Sequence, residues 1–350
     1  MPRFPIVFAC LWLFTVTAAA QVAETVTVER ILIDVRVTDA AGEPILDLEP
    51  SDFTVKIGGK RATIESVTWI PDTAAARAIA ELVDEGTITA EGTPATTATD
   101  VAPAGRLFVF FVQTDFARNS SRVGGAMKFM PHLVDLVEQL VEPDDRVAVL
   151  SFDSHLKFRL DFTSDRSSIV DAVKQSLLID DPPTPPLVAN PSLARRLERE
   201  RMKKATSSEE ALVIIGDALK PIPGPKTLVL LGWGLGELLN GRVVMPREYE
   251  IARNVLESAR VTIFSLDTSD ADYHSLEAGL QTAAADTGGF YAKTHRFPQQ
   301  AVSRLQRTLT GHYELEVRRP AGLKHGTHAI TVDVKRRGMR VLARSSFVDE

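Results

Sequence analysis

The feature that most restricts the fold is a series of short apolar runs separated by amphipathic segments. The runs cover residues 107–112, 147–152, 227–231 and 261–266, and each has the length of one strand. Nearly continuous apolar character is typical of strands buried on both faces. Strands of this kind that alternate with helices predict an α/β fold, in which a Rossmann-like, mostly parallel sheet has helices on both faces.

The segments between the runs show helical spacing. Met127, Met130 and Leu133 begin one such pattern, and we expect Pro131 to kink this helix or to start its second part. Pro246 and Pro298 stand where two later helices are predicted to begin. Residues 156–162 alternate instead, which predicts an edge strand that turns back on its neighbour.

The two terminal segments have a different period. Residues 21–71 and 312–350 alternate between apolar and polar side chains, as at Ile31, Ile33 and Val35. This period of two indicates half-buried strands. Because each segment is too small to stand alone, we expect the two to pair in one small antiparallel β domain that flanks the domain at 105–311.

Two segments between and within these domains are compositionally biased. Residues 72–104 are rich in Ala, Thr and Pro and predict a flexible linker. A charged and Pro-rich insertion interrupts the α/β domain at about 180–206. Its Arg-rich part, 193–204, is interpreted as a solvated helix, with a partner-binding patch as the alternative.

The first twenty residues are typical of a cleavable secretory signal. Arg3 precedes an apolar run at 6–16, and small residues at 18–20 predict cleavage before Gln21. The run is shorter than the ~20 residues that span a bilayer, which disfavours an uncleaved anchor. We therefore expect a periplasmic or secreted protein. Cys10 is the one cysteine, so the processed chain has neither a disulfide nor a thiolate metal site.

The overall charge narrows the class of partner. The chain carries 40 basic and 46 acidic residues, a formal net charge of −6. An acidic exported protein is a poor candidate for binding nucleic acid. No second long apolar run follows the signal, so no membrane-spanning segment is expected after cleavage.

A series of short motifs follows a particular order along the chain. They are the strand ending at Gln113, then Pro143-Asp144-Asp145-Arg146-Val147, Ser151-Phe152-Asp153, Phe162-Thr163-Ser164-Asp165, Lys226-Thr227-Leu228-Val229, Val261-Thr262-Ile263-Phe264 with Asp267, and Asp286-Thr287-Gly288-Gly289-Phe290. In this order they resemble a von Willebrand factor A domain over residues 105–311. The flanking segments, at 29–56 and 328–344, resemble those of the von Willebrand A-related proteins abundant in Acidobacteria.

The resemblance implies where a metal-ion-dependent adhesion site would lie. The family holds Mg²⁺ with Asp-x-Ser-x-Ser after the first strand, a Thr from a later loop and an Asp after a later strand. In this chain those positions fall on Gln113, Asp115, Ala117, Thr184 and Gly232. Only Asp115 offers a carboxylate, which is a poor ligand set for a hard cation. The site is therefore interpreted as degenerate, and no metal cofactor is expected.

Enzymatic motifs at the strand ends are incomplete. The glycines at 232, 234 and 236 follow a strand, but they lack the spacing of a dinucleotide-binding loop. A nucleophile elbow is excluded because Gly234 stands at the serine position. Asp267 and residues 270–272 are interpreted as a solvated acidic loop.

The function predicted from these observations is a non-enzymatic adhesion or scaffold module. It would bind an unidentified protein partner, in the envelope or outside the cell, through the strand-exit positions Gln113, Asp115, Ala117, Thr184 and Gly232. The alternative is a Mg²⁺-dependent adhesion module in which replacement ligands join Asp115. A hydrolase is the third and least supported class.

Overall fold

The computed structural model describes residues 30–74, 76–78, 105–114, 120–176, 182 and 191–349. The predicted signal, most of the predicted linker, and Asp115, Ala117 and Thr184 lie outside these described residues. The described strands are β1 Arg30–Thr38, β2 Phe53–Ile57, β3 Lys60–Arg61, β4 Thr63–Pro71, β5 Leu107–Gln113, β6 Arg146–Phe152, β7 Leu156–Thr163, β8 Lys226–Gly232, β9 Glu237–Leu239, β10 Arg242–Val244, β11 Val261–Asp267, β12 Tyr291–Lys293, β13 Gly311–Arg318, β14 Gly326–Val334, β15 Arg340–Ala343 and β16 Ser346–Asp349. The described helices are α1 Ser120–Leu140, α2 Arg166–Ser176, α3 Arg199–Lys204, α4 Ser208–Leu219, α5 Arg247–Ser258, α6 Glu277–Asp286 and α7 Pro298–Thr308, with a short 3₁₀ turn at Pro50–Asp52.

The apolar runs form a central six-stranded sheet in the order β12-β11-β8-β5-β6-β7. Neighbouring strands are parallel except β7, which pairs antiparallel with β6 at one edge. The predicted α/β fold class and the predicted edge strand are both confirmed. Every residue of β5, β8 and β11 is buried, as the uninterrupted apolar runs require.

Helices cover both faces of this sheet and bury two separate apolar clusters. One cluster packs α4, α5 and α6 against the side chains that include Val109 and Leu228. The other packs α1, α2 and α7 against the opposite face, which includes Phe110 and Phe264. Strands sandwiched between two such layers have no solvent-facing side, so only their ends reach the surface.

Two of the three prolines stand at helix starts as predicted, and the third lies inside a helix. Pro298 is the first residue of α7, and Pro246 immediately precedes α5. Pro131 lies within α1, which runs as one helix from Ser120 to Leu140 rather than as two. Within the described residues, no helix combines the length and the apolar character needed to cross a bilayer.

The terminal segments pair as predicted, in two four-stranded sheets. Their orders are β15-β1-β13-β4 and β16-β14-β2-β3, so each sheet contains two strands from each end of the chain. A shared apolar cluster lies between the sheets. At its centre Tyr313 packs edge-on against Phe53 and Trp69, and its hydroxyl joins the backbone of Ile45 and Leu48. We call this unit the β domain.

The β domain packs against the amino edge of the central sheet. Arg260, which directly precedes β11, donates to Asp34 of β1 at 2.5 Å and to Glu314 of β13 at 2.6 Å. In a second contact between the two units, the backbone amide of Ser345 donates to the carbonyl of Asp286 at the end of α6. The opposite, carboxyl edge of the sheet is left free of the β domain.

The Arg-rich insertion differs from the predicted solvated helix. Only residues Arg199–Lys204 are helical, and Leu193 and Met202 are buried in the core on one face of the sheet. Ser192 and the Leu193 amide both bond to the buried carboxylate of Asp161 in β7, at 2.5 and 2.8 Å. Apolar and polar contacts thus anchor the insertion, and its charged composition does not predict them.

The ion pairs of Arg260 lead to a prediction about stability. Burial alone would raise the pKa of Asp34, but the hydrogen bonds and charge of Arg260 hold it below its usual value. Arg260→Met leaves this carboxylate without its main partner, so we expect unfolding free energy to fall by about 2–3 kcal/mol at neutral pH. Because the depressed pKa stabilises the fold only above the unfolded pKa, the loss should shrink as pH falls through the folded pKa of Asp34.

Urea denaturation across this pH range measures the effect. The matched control is Arg318→Met, which removes an exposed pair with Glu65 and should cost under about 1 kcal/mol. Equal losses in the two variants would contradict the assigned role of Arg260.

Candidate functional site

Three central strands end side by side at the carboxyl edge of the sheet. β5 ends at Gln113, β8 at Gly232 and β11 at Asp267. The register aligns Asp267 with Gly232 and places Val112 beside Leu231. Open α/β sheets bind their ligands at this edge. We call the surface formed by these strand ends, and by the segments that follow them, the strand-exit face.

The side-chain amide of Gln113 is buried, and all its donor and acceptor positions form hydrogen bonds. Its Nε2 donates to Ser208 Oγ and to the Gly234 carbonyl, both at 2.8 Å. Its Oε1 accepts from the backbone amides of Trp233 and Gly234 at 3.0 and 3.3 Å. These four bonds use the full capacity of a primary amide. Gln113 therefore ties the end of β5 to the loop after β8.

Gly232 adjoins this amide, so the structure brings these two predicted site positions together. A Cβ atom on Gly232 would lie 2.2 Å from Gln113 Oε1, far inside van der Waals contact. The absence of a side chain at Gly232 is thus required by the orientation of Gln113. Asp115, Ala117 and Thr184 lie outside the described residues, and their place at the site stays a prediction.

The described residues do not fit the Mg²⁺ site that the resemblance implies. A hard divalent cation requires about six oxygen ligands in near-octahedral geometry. Gly232 has no side chain, and both lone pairs of the Gln113 oxygen already accept backbone amides. Binding a cation at Gln113 would break these bonds and leave buried donors without partners.

The first turn of α4 completes the same arrangement. Ser207 caps the helix by accepting from the Glu210 amide, which fixes the position of Ser208 beside Gln113. The buried carboxylate of Glu209 accepts from the Gly236 amide at 2.7 Å. The loop after β8 is therefore held at both ends by side chains from other elements.

Asp267 forms a second polar group on the strand-exit face and corrects one interpretation made from sequence. It is 1% exposed rather than part of a solvated loop. One oxygen accepts from the amide and hydroxyl of Ser269 at 2.9 and 2.7 Å. The other lies 2.8 Å from His274 Nε2 and accepts from Tyr291 Oη at 2.7 Å.

These bonds set the protonation of the buried groups. Burial alone would raise the pKa of Asp267, but its hydrogen bonds, with His274 first among them, hold the pKa below its usual range. Burial and the neighbouring Asp267 charge raise the pKa of Tyr291. Asp267 thus stays ionised and Tyr291 stays protonated at neutral pH, which suits a structural anchor.

Glu277 and Lys293 complete the Asp267 group. Ligand atoms of Asp267, His274 and Glu277 lie within 4.8 Å of one another, a spacing compatible with a metal ion. The Lys293 ammonium, however, lies 2.6 Å from Glu277 and supplies positive charge to the group. The sequence signal for this cluster is Asp267-Thr268-Ser269 directly after a buried strand, whereas nothing local indicates His274, Glu277 or Tyr291.

Large apolar side chains are exposed in the segments that follow the three strand ends. Met127 of α1 is 64% exposed, and Tyr273, in the loop after β11, is 74% exposed. The β9–β10 hairpin after β8 exposes Leu238 and Leu239 by 54% and 51%. Each of these residues lies in a segment that follows one of the three strand ends. Sequence periodicity does not single them out, because their common location depends on the order of strands in the sheet.

The contact between Gln113 and Gly232 predicts an energetic coupling. Gln113→Ala should lower the unfolding free energy by about 2–3 kcal/mol, because buried backbone groups lose their partners. Gly232→Ala should also destabilise the wild type, since its Cβ would collide with Oε1. In the Gln113→Ala background that collision disappears, so the cost of Gly232→Ala should fall by about 1 kcal/mol or more.

Chemical denaturation of the four proteins in this double-mutant cycle measures the coupling. Gln299→Ala, at an exposed glutamine, is the control and should change stability by less than about 0.5 kcal/mol. Additive effects of the two substitutions would rule out the contact.

The ionised state of Asp267 predicts a pH dependence. Its lowered pKa contributes stability above the unfolded pKa, and this contribution disappears as pH falls through the folded pKa. Asp267→Asn should therefore destabilise the protein by about 2 kcal/mol at neutral pH and by much less in acid. Urea unfolding against pH checks this. Asp270→Asn, at a half-buried carboxylate that pairs with the exposed Lys128, should have a smaller effect. A pH-independent loss in Asp267→Asn would contradict the mechanism.

The α/β architecture agrees with the fold that the von Willebrand A resemblance implies. No protein-family model and no curated protein matched the sequence. Among solved structures, a von Willebrand factor type A protein from Catenulispora acidiphila is 11% identical over 85% of this chain and 72% of that chain, with a TM-score of 0.40. The conserved hypothetical protein BatB from Bacteroides thetaiotaomicron is 15% identical over 58% of this chain and 97% of its own, with a TM-score of 0.38. The human COPII-coat protein Sec24c is 13% identical, with a TM-score of 0.40. The similarity covers 71% of this chain and 44% of Sec24c. At these identities the similarities concern the fold alone.

Proposed function

We propose that this protein is an exported, non-enzymatic interaction module of the adhesion or scaffold type. It binds a protein partner, in the envelope or outside the cell, through the strand-exit face and without a metal cofactor. The observation that carries the proposal is the Gln113 amide, which occupies the first metal-ligand position of the related family and is fully bonded within the protein.

The fixed loop geometry supports binding without a metal. In a metal-dependent site the cation organises the surrounding loops and contacts the partner directly. Here Gln113 and Glu209 hold the loop after β8 by hydrogen bonds instead. A surface that is already ordered loses little conformational entropy when a partner docks.

The composition of the exposed surface supports a protein as the partner. Tyr273, Met127 and the two hairpin leucines offer apolar contact area, and Tyr and Met are enriched in protein interfaces. Charged pairs such as Lys128 with Asp270 lie beside them and provide a polar rim. An apolar centre with a polar rim is the usual anatomy of a protein–protein interface.

The arrangement of polar groups supports a non-enzymatic role. Ser269 donates its hydroxyl hydrogen to Asp267 rather than to His274. The group therefore lacks the hydroxyl-to-imidazole hydrogen bond that activates a serine nucleophile. Gly234 also leaves the loop after β8 without a nucleophile at the elbow position.

Capture of partners from envelope extracts tests the proposed surface. The double variant Met127→Ser/Tyr273→Ser removes two of the exposed anchors, so we expect capture to fall by about tenfold or more. The control is Leu32→Ser/Leu46→Ser, at exposed apolar residues of the N-terminal segment, in β1 and between β1 and β2. A loss of capture in the control as large as in the test variant would contradict the assignment of the face.

The same assay separates the proposal from metal-dependent adhesion. Binding should be equal in Mg²⁺ and in chelator, and Asp115→Ala should not abolish it. Loss of capture in chelator together with loss in Asp115→Ala would favour the metal-dependent alternative. Measuring the melting temperature with and without Mg²⁺ gives a partner-independent check, since a bound cation raises it.

A further inference from the structure

A cavity of about 190 Å³ lies at the amino edge of the central sheet, opposite the strand-exit face. Its walls come from the start of β5, the loop before β8, and strands β1 and β4 of the β domain. The cavity therefore lies between the two structural units. Its lining includes Arg36, Arg77, Arg106 and Asp72.

Arg36 is the unusual member of this lining. It is 5% exposed, and its Nε atom is buried without a hydrogen-bond partner among the described residues. Asp72 and Asp34 attract it only through charge, and the Phe264 ring lies 5.7 Å from its Cζ. Burial lowers the pKa of the Arg36 guanidinium. Buried charged donors are normally paired and hydrogen-bonded, so this group has binding capacity that its described neighbours do not use.

The guanidinium groups of Arg106 and Arg77 differ in how closely carboxylates approach them. Arg106 makes a two-point contact with Asp145, at 3.1 Å from Nε and 2.6 Å from Nη2. Arg77 lies 3.9 Å from Glu142 and 4.0 Å from Asp144, at the outer limit of an ion pair. The Asp72 carboxylate on the wall is bonded to His312 at 3.0 Å. Among the lining arginines, Arg106 thus has a hydrogen-bonded carboxylate, whereas Arg36 and Arg77 have none in the described part of the chain.

We propose that this cavity, which we call the Arg36 cavity, binds a small, singly charged oxyanion such as a monocarboxylate. Guanidinium groups hold carboxylate oxygens by paired, charge-assisted hydrogen bonds. One water takes about 30 Å³ of liquid volume, so the cavity has room for a small organic acid. The anion would balance Arg36 and link β1 of the β domain to the amino end of β5.

Thermal unfolding with sodium acetate tests the proposal, with sodium chloride at equal ionic strength as the salt control. Acetate should raise the melting temperature saturably, and chloride should not. Arg77→Gln should weaken the apparent affinity, and Arg36→Met should weaken it by about tenfold or more. The matched control Arg318→Gln removes an exposed arginine and should leave the response unchanged.

The melting temperature of Arg36→Met in the absence of acetate gives an independent readout. Replacing an unpaired buried charge by an apolar side chain of similar length should leave the melting temperature of Arg36→Met equal to or above that of the wild type. If Arg36→Met does not fold, Arg77→Gln still tests the cavity, because its side chain is a third exposed and outside the core.

Three outcomes would overturn the proposal. One is the absence of a saturable acetate response in the wild type. The second is an equal response in Arg36→Met or an equal effect of chloride. The third is stabilisation by inorganic phosphate without any by acetate, which would contradict the singly charged assignment.

Discussion

Burial of the central sheet on both faces is the constraint on which the rest of the structure depends. Helices cover the two faces completely, so the side chains of β5, β8 and β11 have no access to water. Only the two edges formed by the strand ends remain for polar chemistry. The β domain packs against the amino edge through Arg260 and its partners Asp34 and Glu314.

The two edges satisfy their polar groups in opposite ways. At the carboxyl edge Gln113 and Asp267 have a full set of hydrogen bonds from neighbouring loops. At the amino edge Arg36 remains without such a set among the described residues. A buried polar group with all its hydrogen bonds formed stabilises the fold. An unpaired buried charge is unfavourable, and a bound ligand of opposite charge would relieve that cost.

Local pattern predicted much of the fold because its physical cause is local. Apolar runs of strand length favour buried strands, and the helical spacing between them predicts the covering layers. The pairing of the terminal segments followed from their small size. The interpretation of 193–204 as a solvated helix is right for the exposed charged side chains of Arg199–Lys204. It is wrong for Leu193 and Met202, which find their apolar neighbours far away in sequence.

The candidate site was predictable in part. The family resemblance placed Gln113 and Gly232 at strand ends, and parallel pairing of the strands brought them together. It did not indicate that Gln113 bonds to Ser208, because that contact joins residues on separate elements. Asp267 was interpreted as solvated for the same reason, since the partners that bury it come from a later loop, helix and strand.

The sequence by itself determined the layered α/β architecture, the antiparallel pairing of the ends and the loss of acidic ligands at two family positions. These properties depend on side-chain type and period, which are present before the chain folds. Only the tertiary structure decided that the Gln113 amide is fully bonded, that Asp267 is buried and that Arg36 lines a cavity. Such properties depend on which distant groups meet, and packing alone determines that.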